Sequence, residues 1–302
     1  MDDSDQQKRV VGYIGGSGLY DIKGFDGYKE QEVSTPWGAP SGNIVFGTIG
    51  DVDVRFLARH GNGHYFTPGT VNYRANIDAM KRAGVTDLIS ISACGSFREP
   101  LAPGHFVIVD QFIDRTVHRE NSFFGPGLVA HVSMAHPVCP ALAEHAAEAC
   151  ASLNIPHTKG GTYLAMEGPH FSTLAESNLY RSWGCDVIGM TNATEAKLAR
   201  EAEIPYTTIA MVTDYDCWHE TEDAVEVAKI LEVMHANVAA AKDLIPALTE
   251  RLGPTRAPSP LGIETCLDTA IITAPVARDP ELIAKLDAVA GRVLNASGTA
   301  ND

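Results

Sequence analysis

The stretch VVGYIGGSGLYD, Val10 to Asp21, contains the first strand of the fold and the turn that follows it. Apolar and β-branched residues predict a buried strand over Arg9–Ile14. Glycines and Ser17 follow directly. A dinucleotide-binding turn needs a further glycine where Asp21 stands. The turn therefore suits a free anion, held by backbone N–H groups and the Ser17 hydroxyl, with a plain bend as the alternative.

Outward from this stretch, short apolar runs alternate with longer helical patterns. The alternation predicts an α/β fold, and two neighbouring strands early in the chain indicate a mixed sheet. The predicted strands are Arg9–Ile14, Asn43–Ile49, Val52–Ala58, Asp87–Ser92, Phe106–Asp110, Asp186–Met190 and Tyr206–Thr213. The predicted helices are Thr70–Ala83, Pro140–Ser152, Thr173–Trp183, Glu195–Glu203, Glu222–Leu252 and Pro280–Leu294.

The sequence predicts one main domain followed by a linker and a C-terminal tail. Residues 1–252 are predicted to form one α/β domain. The segment GPTRAPSPLG, Gly253 to Gly262, carries three prolines and is predicted to be a linker. Residues 263–302 are then expected to form a helical tail, packed on the same domain or on a neighbouring subunit.

Composition narrows the classes of partner. The 302 residues include 23 basic and 38 acidic side chains, a net charge of −15, which disfavours nucleic acid and anionic membranes. No apolar run reaches 18 residues, and the N-terminus is polar and acidic, so we expect a cytoplasmic protein without a membrane span. Six scattered cysteines without a CxxC pair favour buried reduced thiols over zinc or disulfides.

Small and polar residues follow several predicted strands, where ligands bind in open α/β sheets. Arg59 and His60 offer hydrogen-bond donors suited to phosphate oxygens. Ser92 and Ala93 expose backbone N–H groups, and Thr191 precedes a predicted helix, whose N-terminus favours an anion. The alternatives are a solvated basic turn and a capping residue without a ligand.

A metal site and a catalytic cysteine are two further interpretations of these strand ends, and both receive less support. His60 and His64 are four residues apart, but Gly61 and Gly63 disfavour the helix that a metal pair at this spacing would need. Cys94 suggests a nucleophile, although no base partner is visible in the sequence. A buried structural thiol is the simpler interpretation.

The strand that ends in DYD, Asp214 to Asp216, is the most informative segment. An extended backbone would point both carboxyl groups to one side, and close carboxyl groups raise the pKa of one of them. A protonated Asp214 beside an ionised Asp216 would match N7 and the N6 amino group of adenine, whereas Asp216 would repel a 6-oxopurine. A solvated acidic turn and a divalent-cation site are the alternatives.

The segment EGPHFS contains Phe171 and Ser172 just before a predicted helix. Phe171 could stack on a flat ring or belong to the core. Ser172 could contact a ligand or cap the helix.

Taken together, these motifs resemble the methylthioadenosine phosphorylase branch of the purine nucleoside phosphorylase family. The resemblance covers about Val10 to Leu252. The motifs that carry it, in order, are IGGSGLYD, LARHGNGH, VNYRANI, SACGS, DQFIDRT, EGPHFS, WGCDVIGMT and MVTDYDCW. It implies a single-domain α/β fold with a mixed, partly barrel-like central sheet flanked by helices.

The resemblance also implies phosphorolysis, in which inorganic phosphate displaces adenine from a 5′-thio-substituted ribose, with neither metal nor organic cofactor. Asp214 and Asp216 would be catalytic and hold the adenine together with Phe171 and Ser172. Family members form homotrimers, with assembly into hexamers left open, and a neighbouring subunit helps to close the 5′ pocket. The implied phosphate-binding residues are Ser17, Arg59, His60, Ser92, Ala93 and Thr191. The implied ribose and alkylthio contacts are Met190, His64, His131, Val227, Ile230 and Leu231.

Three other functions stay open from the sequence. One is a broader purine nucleoside or 5′-methylthioinosine phosphorylase. Another is a nucleosidase that uses water in place of phosphate. The last is a nucleoside-binding protein without catalytic activity.

Overall fold

The computed structural model describes residues 7–16, 24–219 and 227–296. Most of the strands in this part of the chain belong to one mixed sheet of eleven strands. The strands are β1 Gln7–Lys8, β2 Val10–Gly15, β3 Phe25–Gln31, β4 Ile44–Ile49, β5 Val52–Ala58, β6 Asp87–Ser96, β7 Phe106–Ile108, β8 Gln111–Asp114, β9 His157–Lys159, β10 Thr162–Ala165, β11 Val187–Gly189, β12 Tyr206–Asp214 and β13 Thr255–Arg256. The predicted strand Val52–Ala58 is confirmed.

The strand order along the sheet is β3-β4-β5-β2-β6-β11-β10-β8, and β12, β7 and β9 branch from β6. Strand β6 is the hub, because it pairs in parallel with β2 and β12 and antiparallel with β11. The mixed α/β sheet is therefore as predicted. No closed barrel forms among the strands that the structure describes.

Strand β2 is apolar because it lies at the centre of the sheet. Every residue of β2 is buried, between parallel neighbours β5 and β6. Gly12 leaves room for helix packing, since a Cβ there would lie 2.7 Å from Val85 and 2.8 Å from Met80. A larger side chain would push that packing away from the sheet.

Helices cover the sheet and enclose two large apolar clusters. The helices are α1 Tyr73–Arg82, α2 Pro140–Ser152, α3 Leu174–Ser182, α4 Asn192–Glu201, α5 Val227–Leu252, α6 Pro280–Lys285 and α7 Asp287–Ala296. The prediction of α2 is confirmed. The predicted helix over Pro280–Leu294 is in fact two, α6 and α7, divided at Leu286.

The C-terminal segment is held against the same body. Strand β13, within the predicted linker, pairs antiparallel with β1. Arg256 is buried and forms ion pairs with Asp87, at 3.1 Å, and with Glu264. Leu286 and Val289 of the tail belong to an apolar cluster of the main body. No helix in the described part of the chain is long and apolar enough to cross a membrane.

Candidate active site at the strand ends

The carboxyl ends of β2, β5, β6 and β12 form the framework of the candidate site. The backbone N–H of Arg59, just after β5, donates to the carbonyl of Gly15 at the end of β2. Ser92 and Ala93 lie in β6, which continues to Ser96 instead of ending at Ser92 as predicted. Their register partners in β12 are Ala210 and Met211. Ser17 lies outside the described residues.

The Arg59 guanidinium is buried and is engaged mainly within the protein. Its Nε and Nη2 donate hydrogen bonds to the two carboxylate oxygens of Glu195, at 2.5 and 3.2 Å. Nη2 also donates to Ser90 Oγ, at 2.6 Å, and Nη1 donates to the carbonyl of Ile91. The forked donor face that the sequence suggested for phosphate is thus occupied by a carboxylate. Within the described residues, one Nη1 hydrogen remains to be offered to an anion.

Helix α4 begins next to this ion pair. Thr191 is its N-cap residue, but the Thr191 side chain makes no capping hydrogen bond, so the capping interpretation is not realised. The first backbone N–H groups of a helix lack partners within the helix and suit an anion. Asn192, the first residue of α4, contacts Ser92 through its side chain, 2.7 Å from Oδ1 to Oγ. Ser92 of β6 therefore lies against the start of α4, at the residue that directly follows Thr191.

His60 is neutral near physiological pH and has a defined tautomer. Burial, and secondarily the charge of Arg59, lowers the pKa of His60 to about 4. Its Nδ1 lies 2.8 Å from the carbonyl oxygen of Phe66, which can only accept a hydrogen bond. Nδ1 therefore carries the hydrogen and Nε2 presents a lone pair. The ring stacks on His64, with 4.2 Å between ring centroids.

Asp214 and Asp216 come together through a turn. The backbone leaves the extended conformation after Asp214, and Asp216 has a φ of 54° at the start of a short 3₁₀ helix. The extended backbone on which the sequence argument depended is therefore not present beyond Asp214. The turn nevertheless brings both side chains against Gly95, where a Cβ would lie 3.0 Å from Asp214 Oδ1 and 3.5 Å from Asp216 Cβ.

The two carboxyl groups have different surroundings. Asp214 accepts hydrogen bonds from the Asp216 N–H, at 2.8 Å, and from the Thr213 hydroxyl, at 2.6 Å, which favours its ionised form. Burial, together with the nearby charge of Asp214, raises the pKa of Asp216 to about 6. The pair thus contains one group that readily holds a proton. In this structure that group is Asp216, whereas the sequence interpretation placed the proton on Asp214.

The loop before α3 lies beside the aspartates. The Cys217 thiol donates to the carbonyl of Ser172, at 3.4 Å. Thr173 caps α3 and forms a capping box with Glu176, so Ser172 is not the cap. Phe171 is 62% exposed, which excludes it from the core of the described chain.

Arg119 contacts a predicted site residue, Met190, and was not among the residues that the sequence indicated. Its Nη1 donates to the carbonyl of Met190 at 2.9 Å, and its other nitrogens bind Glu167. Met190 also packs closely on Gly168, where a Cβ would meet its sulfur at 2.4 Å. Nothing near Arg119 in the sequence signals this role, because the contacts join segments some 50 to 70 residues apart.

The surroundings of the other candidate residues differ from one to the next. His131 is exposed, and its N–H donates to the carbonyl of Ala270 in the C-terminal segment. Leu231 is 43% exposed on α5, and the side chains of Val227 and Ile230 lie outside the described set. Cys94 is buried and burial raises the pKa of its thiol, so a nucleophilic role is not supported. All six cysteines are free.

The mixed eleven-stranded sheet flanked by helices has the nucleoside phosphorylase fold. Residues 10–250 match the model of the Phosphorylase superfamily. The chain belongs to this superfamily and, within it, to the methylthioadenosine phosphorylases.

The similarity to curated relatives spans nearly the whole chain. The S-methyl-5′-thioadenosine phosphorylase of Bradyrhizobium diazoefficiens is 58% identical over 285 residues, 94% of this chain and 98% of the relative. The enzyme of that name from Rhodospirillum rubrum is 59% identical over 285 residues, 94% and 97% of the two chains.

Solved structures resemble the fold closely. A methylthioadenosine phosphorylase from an Antarctic soil metagenomic library has a TM-score of 0.88 and 42% identity, and the match covers 94% of this chain and 99% of that one. The methylthioadenosine phosphorylase of Schistosoma mansoni, in complex with adenine, has a TM-score of 0.78 and 37% identity over 82% and 92% of the two chains.

Proposed function

We propose that this protein catalyses the phosphorolysis of 5′-methylthioadenosine, which yields adenine and 5-methylthioribose 1-phosphate. One observation carries the proposal. Along β6, Ser92 contacts the start of α4, and three residues later Gly95 lies against Asp214 and Asp216. Three residues of a strand span about 10 Å, which leaves room for a ribose ring between an anion and a base.

The anion-binding end would hold inorganic phosphate as co-substrate. Its proposed ligands are the backbone N–H groups at Ala93 and the start of α4, one Nη1 hydrogen of Arg59, and the hydroxyls of Ser17 and Thr191. Ser92 completes this end, and His60 would contribute its backbone N–H, because its ring offers no hydrogen at Nε2. The phosphate already carries the charge that attacks C1′, so the protein's task is to fix its position below the ribose. The same charge stabilises the cation-like ribosyl centre.

The aspartate pair would bind and activate the leaving base. With one proton shared between them, the pair offers one donor and one acceptor, which match N7 and the N6 amino group of adenine. Donation to N7 stabilises the departing base, and such acid catalysis contributes about 10²- to 10⁴-fold. A 6-oxopurine presents a carbonyl in place of the amino group, and the ionised carboxylate would repel it. Phe171 is exposed and free to stack on the ring.

The pocket for the 5′ substituent is proposed to be completed by assembly. Met190 would lie against the ribose, and His64, Val227, Ile230 and Leu231 would surround the alkylthio group. His131 is exposed beside the C-terminal segment, and the family resemblance implies a homotrimer in which a neighbouring subunit helps to close the pocket. Free thiols at all six cysteines favour the reducing cytoplasm.

A substrate panel tests the specificity. Phosphorolysis of methylthioadenosine, adenosine, inosine and 5′-methylthioinosine is followed by release of the free base at a fixed phosphate concentration. We expect methylthioadenosine to be preferred and both 6-oxopurines to react poorly. A preference for inosine or methylthioinosine would refute the adenine assignment and favour the broader phosphorylase.

A further inference from the structure

A chain of buried hydrogen bonds runs from the Arg59–Glu195 ion pair to Ser92. Ser90 Oγ lies 2.7 Å from Glu195 Oε2 and 2.6 Å from the side-chain nitrogen of Asn192. Asn192 Oδ1 in turn lies 2.7 Å from Ser92 Oγ. Asn192 and Ser90 are fully buried. Each hydroxyl here has one hydrogen to give, and its recipient can be worked out from the partners.

The negative charge of Glu195 determines which atom donates in each hydrogen bond of this network. A carboxylate only accepts hydrogen bonds, so the hydroxyls of Ser90 and Tyr206 both donate to Oε2, at 2.7 and 3.2 Å. These two oxygens then have only lone pairs left for Asn192. The end of the Asn192 side chain that faces them, at 2.6 and 3.1 Å, must be the NH₂ group. The same NH₂ group also contacts Thr208 Oγ1, at 2.8 Å. The opposite orientation would aim Oδ1 at the Ser90 and Tyr206 oxygens, which have no hydrogen to give.

The amide orientation decides what Ser92 can do. With its NH₂ group turned to Ser90, Asn192 presents Oδ1 to Ser92, and the Ser92 hydroxyl donates its only hydrogen there. Turning that hydrogen toward a ligand would leave Oδ1 buried without a partner, which is unfavourable. Ser92 therefore offers a ligand two lone pairs and no hydrogen.

We infer that Ser92 accepts a hydrogen bond from the P–OH group of hydrogen phosphate, and that Asn192 is the positioning residue that makes it an acceptor. The inference rests on the proposed function and deepens it, because it assigns the site a preference for protonated oxyanions. Phosphate and arsenate carry an O–H at neutral pH. Sulfate has the same shape but no hydrogen, so one of its oxygens would face the lone pairs of Ser92.

Calorimetric titration of the full-length protein with inorganic phosphate, arsenate and sulfate, at pH 7.5 and constant ionic strength, tests the inference. We expect phosphate and arsenate to bind with similar dissociation constants and sulfate to bind about tenfold more weakly, the worth of one charge-assisted hydrogen bond. In Ser92→Ala, phosphate affinity should fall about tenfold, while sulfate affinity should not fall, because alanine removes the lone pairs that a sulfate oxygen would face. The preference would then disappear. Ser152→Ala, which alters a hydroxyl at the end of α2, should leave both affinities unchanged.

Two results would overturn the inference. One is sulfate binding to the unmodified protein as tightly as phosphate. The other is an equal loss of affinity for both anions in Ser92→Ala, which would mean that Ser92 donates its hydrogen to the ligand. If that variant does not fold, the comparison in the unmodified protein still decides. Turnover of methylthioadenosine by the same preparation tests the proposed function separately, because anion preference is measured without nucleoside.

Discussion

Replacing Glu195 by glutamine should destabilise the protein substantially. Glu195 and Arg59 are each 2% exposed at the side chain, and Glu195 accepts from Arg59, Ser90 and Tyr206. Glutamine has nearly the same volume but no charge, and its NH₂ group would face donors. The Arg59 cation would be left buried without a counter-charge, and removing one partner of a buried pair costs about 3–5 kcal/mol.

The expected shift in melting temperature follows from chain length. At roughly 2.1 cal/mol/K per residue, a chain of 302 residues has an unfolding entropy near 0.6 kcal/mol/K, so the loss corresponds to about 5–8 °C. Thermal denaturation followed by circular dichroism measures the shift. Glu148→Gln is the matched control, because Glu148 pairs with Arg251 at 2.9 Å on the surface and should contribute under about 1 kcal/mol. Equal shifts in the two variants would refute the reasoning.

Three other changes test the site. Asp214→Asn should lower kcat by about 10²-fold or more at unchanged melting temperature, because the pair loses the charge that polarises its partner; an undiminished kcat would remove Asp214 from catalysis. The pKa of His60, lowered to about 4, means that the unfolded chain binds a proton below pH 6.5 which the folded protein does not. Stability should therefore fall by about 3 kcal/mol as pH decreases from 6.5 to 4, and melting curves of His60→Asn should lack that component. Phe171→Ala should raise KM for methylthioadenosine severalfold without lowering stability, since the ring is 62% exposed; loss of stability would indicate a packing role.

The central strands could be predicted because burial on both sides gives them continuous apolar sequence. Val10–Gly15 and Val52–Ala58 are examples. Strand β3, Phe25–Gln31, was missed because it is an exposed edge strand of mostly polar residues. The predicted strand Asp87–Ser92 is shorter than β6, because the small residues after Ser92 are typical of a turn. In the structure, pairing with β12 continues past Cys94.

The sequence indicated which candidate residues lie close together better than it indicated their protonation and hydrogen bonds. Asp214 and Asp216 do meet, but through a turn with a positive φ at Asp216 that no local pattern indicated. The forked face of Arg59 serves Glu195, 136 positions away. Asn192 stands three residues before the predicted helix Glu195–Glu203, and nothing in the sequence indicates its buried partners, which are Ser90, Ser92, Tyr206 and Thr208. Protonation and hydrogen-bond direction depend on such distant contacts, which a linear sequence does not contain.

The phosphate dependence of methylthioadenosine cleavage tests the central claim most directly. The protein, freed of phosphate by dialysis, is incubated with methylthioadenosine with and without inorganic phosphate, and the sugar product is identified by mass spectrometry. We predict negligible adenine release without phosphate, and 5-methylthioribose 1-phosphate as the product when phosphate is added. Adenine release at the full rate in phosphate-free buffer, with free 5-methylthioribose as product, would contradict the account and identify a nucleosidase.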